Sequence, residues 1–92
     1  MGQMQSITVE VKNEYGIHAR PASLVAELAN KFQSDIRITL GDRSVDGKSV
    51  MSILLLAAGK GSKLVITANG LDEAQALREL RELIEVAKFH EE

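Results

Sequence analysis

The sequence predicts an α+β fold in which a mostly antiparallel four-stranded sheet is covered by helices on one face. Four segments alternate apolar and polar residues, as half-buried strands do, and three repeat apolar residues at helical spacing. Their order along the chain is β-α-β-β-α-β-α, and a tight hairpin between the second and third strands excludes an all-parallel sheet. With 92 residues, 45% of them hydrophobic, the chain is expected to form one domain, residues 1–92.

A short turn separates the first strand from the first helix. Apolar residues alternate with polar ones over 7–11, and residues 13–16 have the composition of a turn. Pro21 fits only in the first turn of a helix, because proline lacks the N–H that later turns require. The first helix therefore begins within a residue or two of His18. Its apolar face consists of Ala22, Val25, Ala26, Ala29 and Phe32.

The remaining strands follow the same alternating pattern. The second strand contains Ile36, Ile38 and Leu40, and Gly41-Asp42 closes a hairpin into a short third strand at 44–46. The fourth strand is predicted over 64–68.

The last helix is expected to open at Asp72. Its predicted buried face consists of Ala76, Leu77, Leu80, Leu83, Ile84 and Ala87. His90 lies in a C-terminal stretch that is predicted to fray, so we expect its side chain to be solvated.

The second helix is apolar on almost all sides. Ser49 is its predicted N-cap, and the helix is expected to run through about Ala57. In so small a domain one side of such a helix should face water, and a partner protein is the usual reason. The expected core residues are Ile53, Leu56 and Ala57, and the expected exposed patch is Val50, Met51 and Leu54. The alternative is that the whole helix is buried.

The composition argues against several classes of function. There are 11 basic and 13 acidic residues, and one Tyr, two Phe and no Trp supply few stacking rings, so nucleic acid is not an expected partner. The chain has no cysteine, and two histidines in unlike contexts do not predict a metal site. We expect no cofactor. Because no apolar run is long enough for a membrane span and no secretory signal is recognisable, we expect a cytoplasmic protein.

His18 is the strongest candidate for chemistry. It directly precedes a helix whose first-turn N–H groups form an anion site, and Arg20 adds a planar fork of donors that suits phosphate oxygens. A neutral imidazole is also a good nucleophile near pH 7. From spacing alone, the alternative is a histidine that caps the helix or is simply solvated.

Ser49 also has two interpretations. A serine at a helix N-terminus most often serves as a cap and nothing more. A phosphate on this serine would nevertheless be favoured by the helix dipole and the free N–H groups. Lys48 beside it adds positive charge.

Two motifs resemble those of the HPr family, the histidine phosphocarriers of the bacterial phosphotransferase system. The segment GIHARPA at 16–22 is similar to the family's active-site motif, and GKSVM at 47–51 is similar to the signature around its regulatory serine. The spacing between His18 and Ser49 matches without a gap, and the similarity covers about residues 6–88. Two motifs in register make the resemblance specific.

The resemblance implies an open-faced β-sandwich with strand order 1-4-2-3 and three helices on one face. It implies that His18 accepts a phosphoryl group from phosphorylated enzyme I and donates it to the A-domain of an enzyme II, with Arg20 steadying the phosphoryl oxygens. Ser49 would be the target of an HPr kinase/phosphorylase where one exists. The implied docking patch beside His18 is Val50, Met51 and Leu54. Such a protein is a monomeric relay and not an enzyme.

Two departures from the family pattern keep a second hypothesis open. Ser52 stands where many members have glycine or lysine, and Leu54–Leu56 make the helix more apolar than in sugar-specific members. The alternative is a nitrogen-related or catabolite-regulatory member that acts mainly by binding other proteins. A phosphatase or hydrolase is not favoured, because neither a metal-ligand set nor a second acid–base group accompanies His18.

Overall fold

The computed structural model describes residues 3–91, so Met1, Gly2 and Glu92 lie outside the description. The predicted element order is confirmed. The strands are β1 (Gln5–Glu10), β2 (Asp35–Leu40), β3 (Arg43–Asp46) and β4 (Lys63–Asn69), and the helices are α1 (Ala19–Ala29), α2 (Val50–Leu55) and α3 (Glu73–Arg81). Helix α3 continues into a π-helical turn, Glu82–Val86, and a 3₁₀ turn, Lys88–His90.

The four strands form one antiparallel sheet in the order β1-β4-β2-β3, which confirms the strand order that the resemblance implies. One row of facing residues crosses the whole sheet, from Ile7 through Ile66 and Ile38 to Val45. The two central members are buried and the two edge members are half-buried. Alternate residues point to the opposite face, which no helix among residues 3–91 covers; Val65, for example, is 36% exposed there.

The hydrophobic core lies between the sheet and the helices. The inward residues of the strands pack against the predicted apolar face of α1 and against α3. The largest fully buried side chains are Phe89, Ile36, Ile38, Ile66, Leu80 and Ile84. Within the described part of the chain, no helix is long and apolar enough to cross a membrane.

Helix α2 is shorter than predicted. It ends at Leu55, and Ala57 takes a left-handed conformation with φ of 53°. Because helical periodicity no longer applies there, the prediction that Ala57 belongs to the core is wrong: its side chain is exposed, and Ala58 is buried instead. The predicted burial of Ile53 and Leu56 is confirmed.

The C-terminal stretch does not fray as predicted. Phe89 is fully buried, although His90 is exposed as expected. The π-helical turn and three consecutive residues with positive φ, 88–90, change the direction of the chain after α3. Since helical spacing ends with α3, Leu83 and Ala87 are only half-buried. Burial of a phenylalanine side chain contributes about 2–3 kcal/mol, which offsets part of the conformational cost.

Candidate functional site

The loop between β1 and α1 fixes the position of His18. Gly16 has φ of 69°, and a Cβ added there would lie 2.6 Å from the carbonyl oxygen of Ala58, so the loop requires glycine. The N–H of Ile17 donates to the same carbonyl at 2.8 Å. His18 then occupies the N-cap position of α1, where its carbonyl accepts from the N–H of Ala22 at 3.0 Å. The sequence-predicted start of α1 is therefore confirmed.

The imidazole of His18 does not cap the helix. Its side chain is 44% exposed, and Nε2 lies 2.6 Å from Oε2 of Glu91. Because an ionised carboxylate can only accept, Nε2 is the donor, and the neutral ring keeps its lone pair on Nδ1. Within residues 3–91, Nδ1 has no hydrogen-bond partner. The free lone pair makes Nδ1 the available nucleophile.

Glu91 is held by a second contact. Its side chain is only 17% exposed, and Oε1 accepts a hydrogen bond from Nδ2 of Asn13 at 2.8 Å. Asn13 is buried and also donates to the carbonyl of Gly16 at 2.8 Å, which ties Glu91 to the loop that carries His18. The hydrogen bond from Asn13 is the largest cause that lowers the pKa of Glu91. The hydrogen bond from His18, the positive charge of His18 when its ring is protonated, and the charge of Arg20 lower it further, while burial opposes them. Glu91 is therefore ionised at neutral pH.

Arg20 lies on the first turn of α1, next to His18. Its Nη1 donates to the carbonyl oxygen of Phe89 at 3.4 Å, a long hydrogen bond, and the side chain is exposed. A guanidinium has five N–H donors, so most of them remain for an anion that approaches the helix start. The structure thus brings His18 and Arg20 together, as the sequence predicts.

Ser49 is the N-cap of α2, as predicted. Its side-chain oxygen accepts from the N–H of Ser52 at 3.2 Å. The ammonium of Lys48 donates to the carbonyl oxygen of Phe32 at 2.8 Å and is engaged with the backbone there.

Ser49 and His18 lie at opposite ends of α1. Asn30, the C-cap of α1, donates to the carbonyl of Lys48 at 3.0 Å, whereas Ile17, just before α1, bonds to Ala58. Helices α1 and α2 are therefore antiparallel neighbours. The 11 residues of α1 correspond to about 16 Å of helix. A charge on Ser49 is therefore remote from the imidazole.

The exposed apolar face of α2 is displaced by one residue from the predicted patch. Met51 and Leu55 are 72% and 63% exposed, while Val50 and Leu54 are half-buried and pack against the core. Since Ile53 and Leu56 face the core, the spacing i, i+4 places Met51 and Leu55 together on the outer side. Tyr15, in the loop before His18, is 80% exposed.

Sequence reasoning missed Asn13, Glu91, Leu55 and Tyr15. Helical spacing from Ile53 could have found Leu55. Nothing local pointed to Glu91, because it is 73 residues away from His18 along the chain. In the described residues, no group of three or more His, Cys, Asp or Glu side chains is placed to hold a metal ion.

Comparisons with known proteins agree with this geometry. The family model for the PTS HPr component phosphorylation site matches residues 5–86. A phosphocarrier protein HPr from Treponema pallidum is 41% identical over 85 residues, which cover 92% of this chain and 96% of that protein. One from Neisseria meningitidis serogroup A is 39% identical over 77 residues, 84% of this chain and 86% of that protein.

A solved structure is equally similar. The crystal structure of HPr-C-His from Thermoanaerobacter tengcongensis superposes with a TM-score of 0.90 at 41% identity, covering 96% of this chain and 98% of that one. The sequence match, the shared sheet order and the two motifs agree with one another, and the chain belongs to the HPr family of phosphocarrier proteins of the phosphotransferase system.

Proposed function

We propose that this protein is a relay that accepts a phosphoryl group on Nδ1 of His18 from phosphorylated enzyme I and passes it to the A-domain of an enzyme II. The observation that carries the proposal is the hydrogen bonding of the two nitrogens of the His18 ring. Nε2 donates to Glu91, and Nδ1 has no hydrogen-bond partner in the described part of the chain. An imidazole nitrogen with a free lone pair, on a side chain that is partly exposed at the start of a helix, is suited to attack phosphorus.

The transfer needs few groups besides the imidazole. The lone pair of Nδ1 forms the new bond to phosphorus while the bond between phosphorus and the donor's leaving atom breaks, and the donor keeps that electron pair. Arg20 and the N–H groups of the first turn of α1 would stabilise the charge on the phosphoryl oxygens. The acceptor protein then takes the group by the reverse process. The chain is regenerated by its partners, so it acts as a carrier and not as an enzyme.

We assign two supporting roles to α2. Ser49 is the proposed site of regulatory phosphorylation by an HPr kinase/phosphorylase, since a helix N-terminus favours an added phosphate. Val50, Met51 and Leu54 form the proposed docking surface, to which the exposure of Leu55 adds a fourth member. Met51 and Leu55 are its exposed members, whereas Val50 and Leu54 are half-buried. Neighbouring exposed apolar side chains are typical of a surface that a partner covers.

The experiment is phosphorylation by enzyme I and phosphoenolpyruvate, followed by intact mass. We expect one phosphoryl group on the wild type, labile in acid and stable in base, as a phosphoramidate is. His18→Ala should take up none and should change the free energy of unfolding by no more than about 0.5 kcal/mol, because the ring is partly exposed. His90→Asn, at the other histidine, is the matched control and should be labelled normally; asparagine tolerates the positive φ at that position.

Two results would contradict the proposal. An unlabelled wild type would favour the alternative of a family member that acts only by binding. An acid-stable adduct would place the phosphoryl group on a residue other than a histidine.

A further inference from the structure

The C-terminal segment, residues 87–91, lies beyond the part of the chain that the family model matches, which ends at 86. This segment folds back onto the site and contacts both residues of the proposed phosphoryl-transfer machinery. The carboxylate of Glu91 lies 2.6 Å from Nε2 of His18, and the carbonyl of Phe89 accepts from Arg20 at 3.4 Å.

Three consecutive residues of this segment have an unfavourable backbone conformation, and tertiary contacts hold them in it. Lys88, Phe89 and His90 all have φ between 49° and 60°, a left-handed region that is unfavourable for residues with a side chain. Full burial of Phe89 and the hydrogen bond from Asn13 to Glu91 compensate for that cost. The backbone is therefore fixed where the Glu91 carboxylate meets the imidazole.

We propose that Glu91 is a positioning residue for phosphoryl acceptance, a role that rests on the proposed function of His18. Its carboxylate accepts the Nε2–H hydrogen bond and thereby selects the tautomer with the lone pair on Nδ1. When Nδ1 bonds to phosphorus, the ring becomes positively charged with its proton still on Nε2, and no proton has to leave. The negative charge of Glu91 stabilises that ring, as the aspartate does for the imidazolium of a Ser-His-Asp triad.

Glu91→Gln tests this role. It keeps the size of the side chain but replaces the carboxylate, which can only accept a hydrogen bond from Nε2–H. An amide can accept from Nε2–H or donate to a bare Nε2, so it favours neither tautomer. In the wild type, 15N-detected NMR of the unphosphorylated protein should show His18 as the Nε2–H tautomer. In Glu91→Gln, the Nδ1–H tautomer should become detectable. The initial rate of phosphoryl uptake should fall by about tenfold, the lower end of the loss seen when a group that orients a metal-ligating imidazole is removed.

Glu82→Gln is the control, since it removes the same charge from an exposed glutamate in the π-helical turn. It should leave both the tautomer and the rate unchanged. An unchanged tautomer and rate in Glu91→Gln would overturn the proposal, and so would faster uptake, which would mean that the carboxylate shields His18. If the wild type is labelled normally, these results count against Glu91 alone; an unlabelled wild type overturns the proposed function and the role of Glu91 together.

Discussion

Three hydrogen bonds converge on the carboxylate of Asp72. The residue stands at the N-cap position of α3, where the sequence predicts the helix to open, yet its side chain does not cap that helix. It accepts instead from the side chain and N–H of Ser34 and from the N–H of Gln33, in the loop between α1 and β2. The Ser34 hydroxyl is the largest cause that lowers the pKa of Asp72, followed by the Gln33 N–H, while burial opposes them.

This arrangement predicts an acid-sensitive contribution to stability. Since the pKa of Asp72 is lower in the folded than in the unfolded protein, the unfolded chain binds more protons as the pH falls below about 4. The contribution is therefore complete above the unfolded value and disappears as the pH falls through the folded value. Asp72→Asn should be less stable than the wild type at pH 7, and melting curves between pH 2 and pH 7 should show the difference shrinking in acid.

The control for net charge is Asp42→Asn, at the exposed turn between β2 and β3. Its melting temperature should stay close to that of the wild type at pH 7. A difference between Asp72→Asn and the wild type that stays constant down to pH 2 would contradict the assignment.

At the scale of elements, periodicity predicts a segment only as long as its backbone stays regular. The strands were predictable because alternation persists through each of them. The inward residues of β2 and β4 are buried, except for the half-buried Leu40 at the end of β2. Helix α2 was predicted too long because Ala57 leaves the helical conformation, and its sequence gives no sign of this change. A tertiary contact accounts for the early end of α2, since the residue after Ala57, Ala58, supplies the carbonyl oxygen that accepts a hydrogen bond from the N–H of Ile17.

Helix α2 is also where regulation and docking should be coupled. Ser49→Asp should slow phosphoryl transfer by raising KM, because its charge lies one residue before the docking surface and must be desolvated when a partner covers it. Direct repulsion at His18 should be weak: α1 separates the two residues by about 16 Å, and the Debye length is about 8 Å in physiological salt. Met51→Asp, at an exposed position, should act in the same way. Steady-state kinetics with enzyme I measures KM and kcat separately.

The matched control is Ser6→Asp, which adds the same charge on β1, on the sheet face away from the helices. KM should be close to that of the wild type. A fall in kcat at unchanged KM for Ser49→Asp would show that its charge acts on the chemical step, contrary to this account. Ser49→Ala should keep normal kinetics and lose about 1 kcal/mol of stability with the cap.

At the scale of the whole molecule, the site divides into a local and a long-range part. His18 and Arg20 were predictable because both belong to one helix start, and Pro21 marks that start in the sequence. The contact with Glu91 was not predictable, because it joins residues 73 apart through a backbone turn that side-chain patterns do not encode. The C-terminal stretch that contains Phe89 was likewise expected to fray. Its burial was not predictable, because the core that surrounds the ring forms only when the sheet and helices pack together.

We expect the burial of Phe89 to affect both the free energy of unfolding and the tautomer of His18. Phe89→Ala removes the anchor of the C-terminal segment, so the free energy of unfolding should fall. The loss should be about 1–3 kcal/mol, less than the roughly 3–5 kcal/mol typical of a core phenylalanine, because release of the segment relieves its left-handed residues. Glu91 should then leave His18, and the Nδ1–H tautomer should appear by 15N NMR, as in Glu91→Gln.

Phe32→Ala separates the two effects, because Phe32 is 8% exposed in the core and does not belong to the C-terminal segment. It should lose the full 3–5 kcal/mol or so and keep the Nε2–H tautomer. Chemical denaturation measures the free energy of unfolding, and the NMR spectrum reports the His18 tautomer on the same samples. A Phe89→Ala protein that keeps the wild-type tautomer would show that Asn13 alone holds Glu91. Loss of the wild-type tautomer in Phe89→Ala but not in Phe32→Ala would instead show that the buried Phe89 ring holds Glu91 where it orients the imidazole of His18.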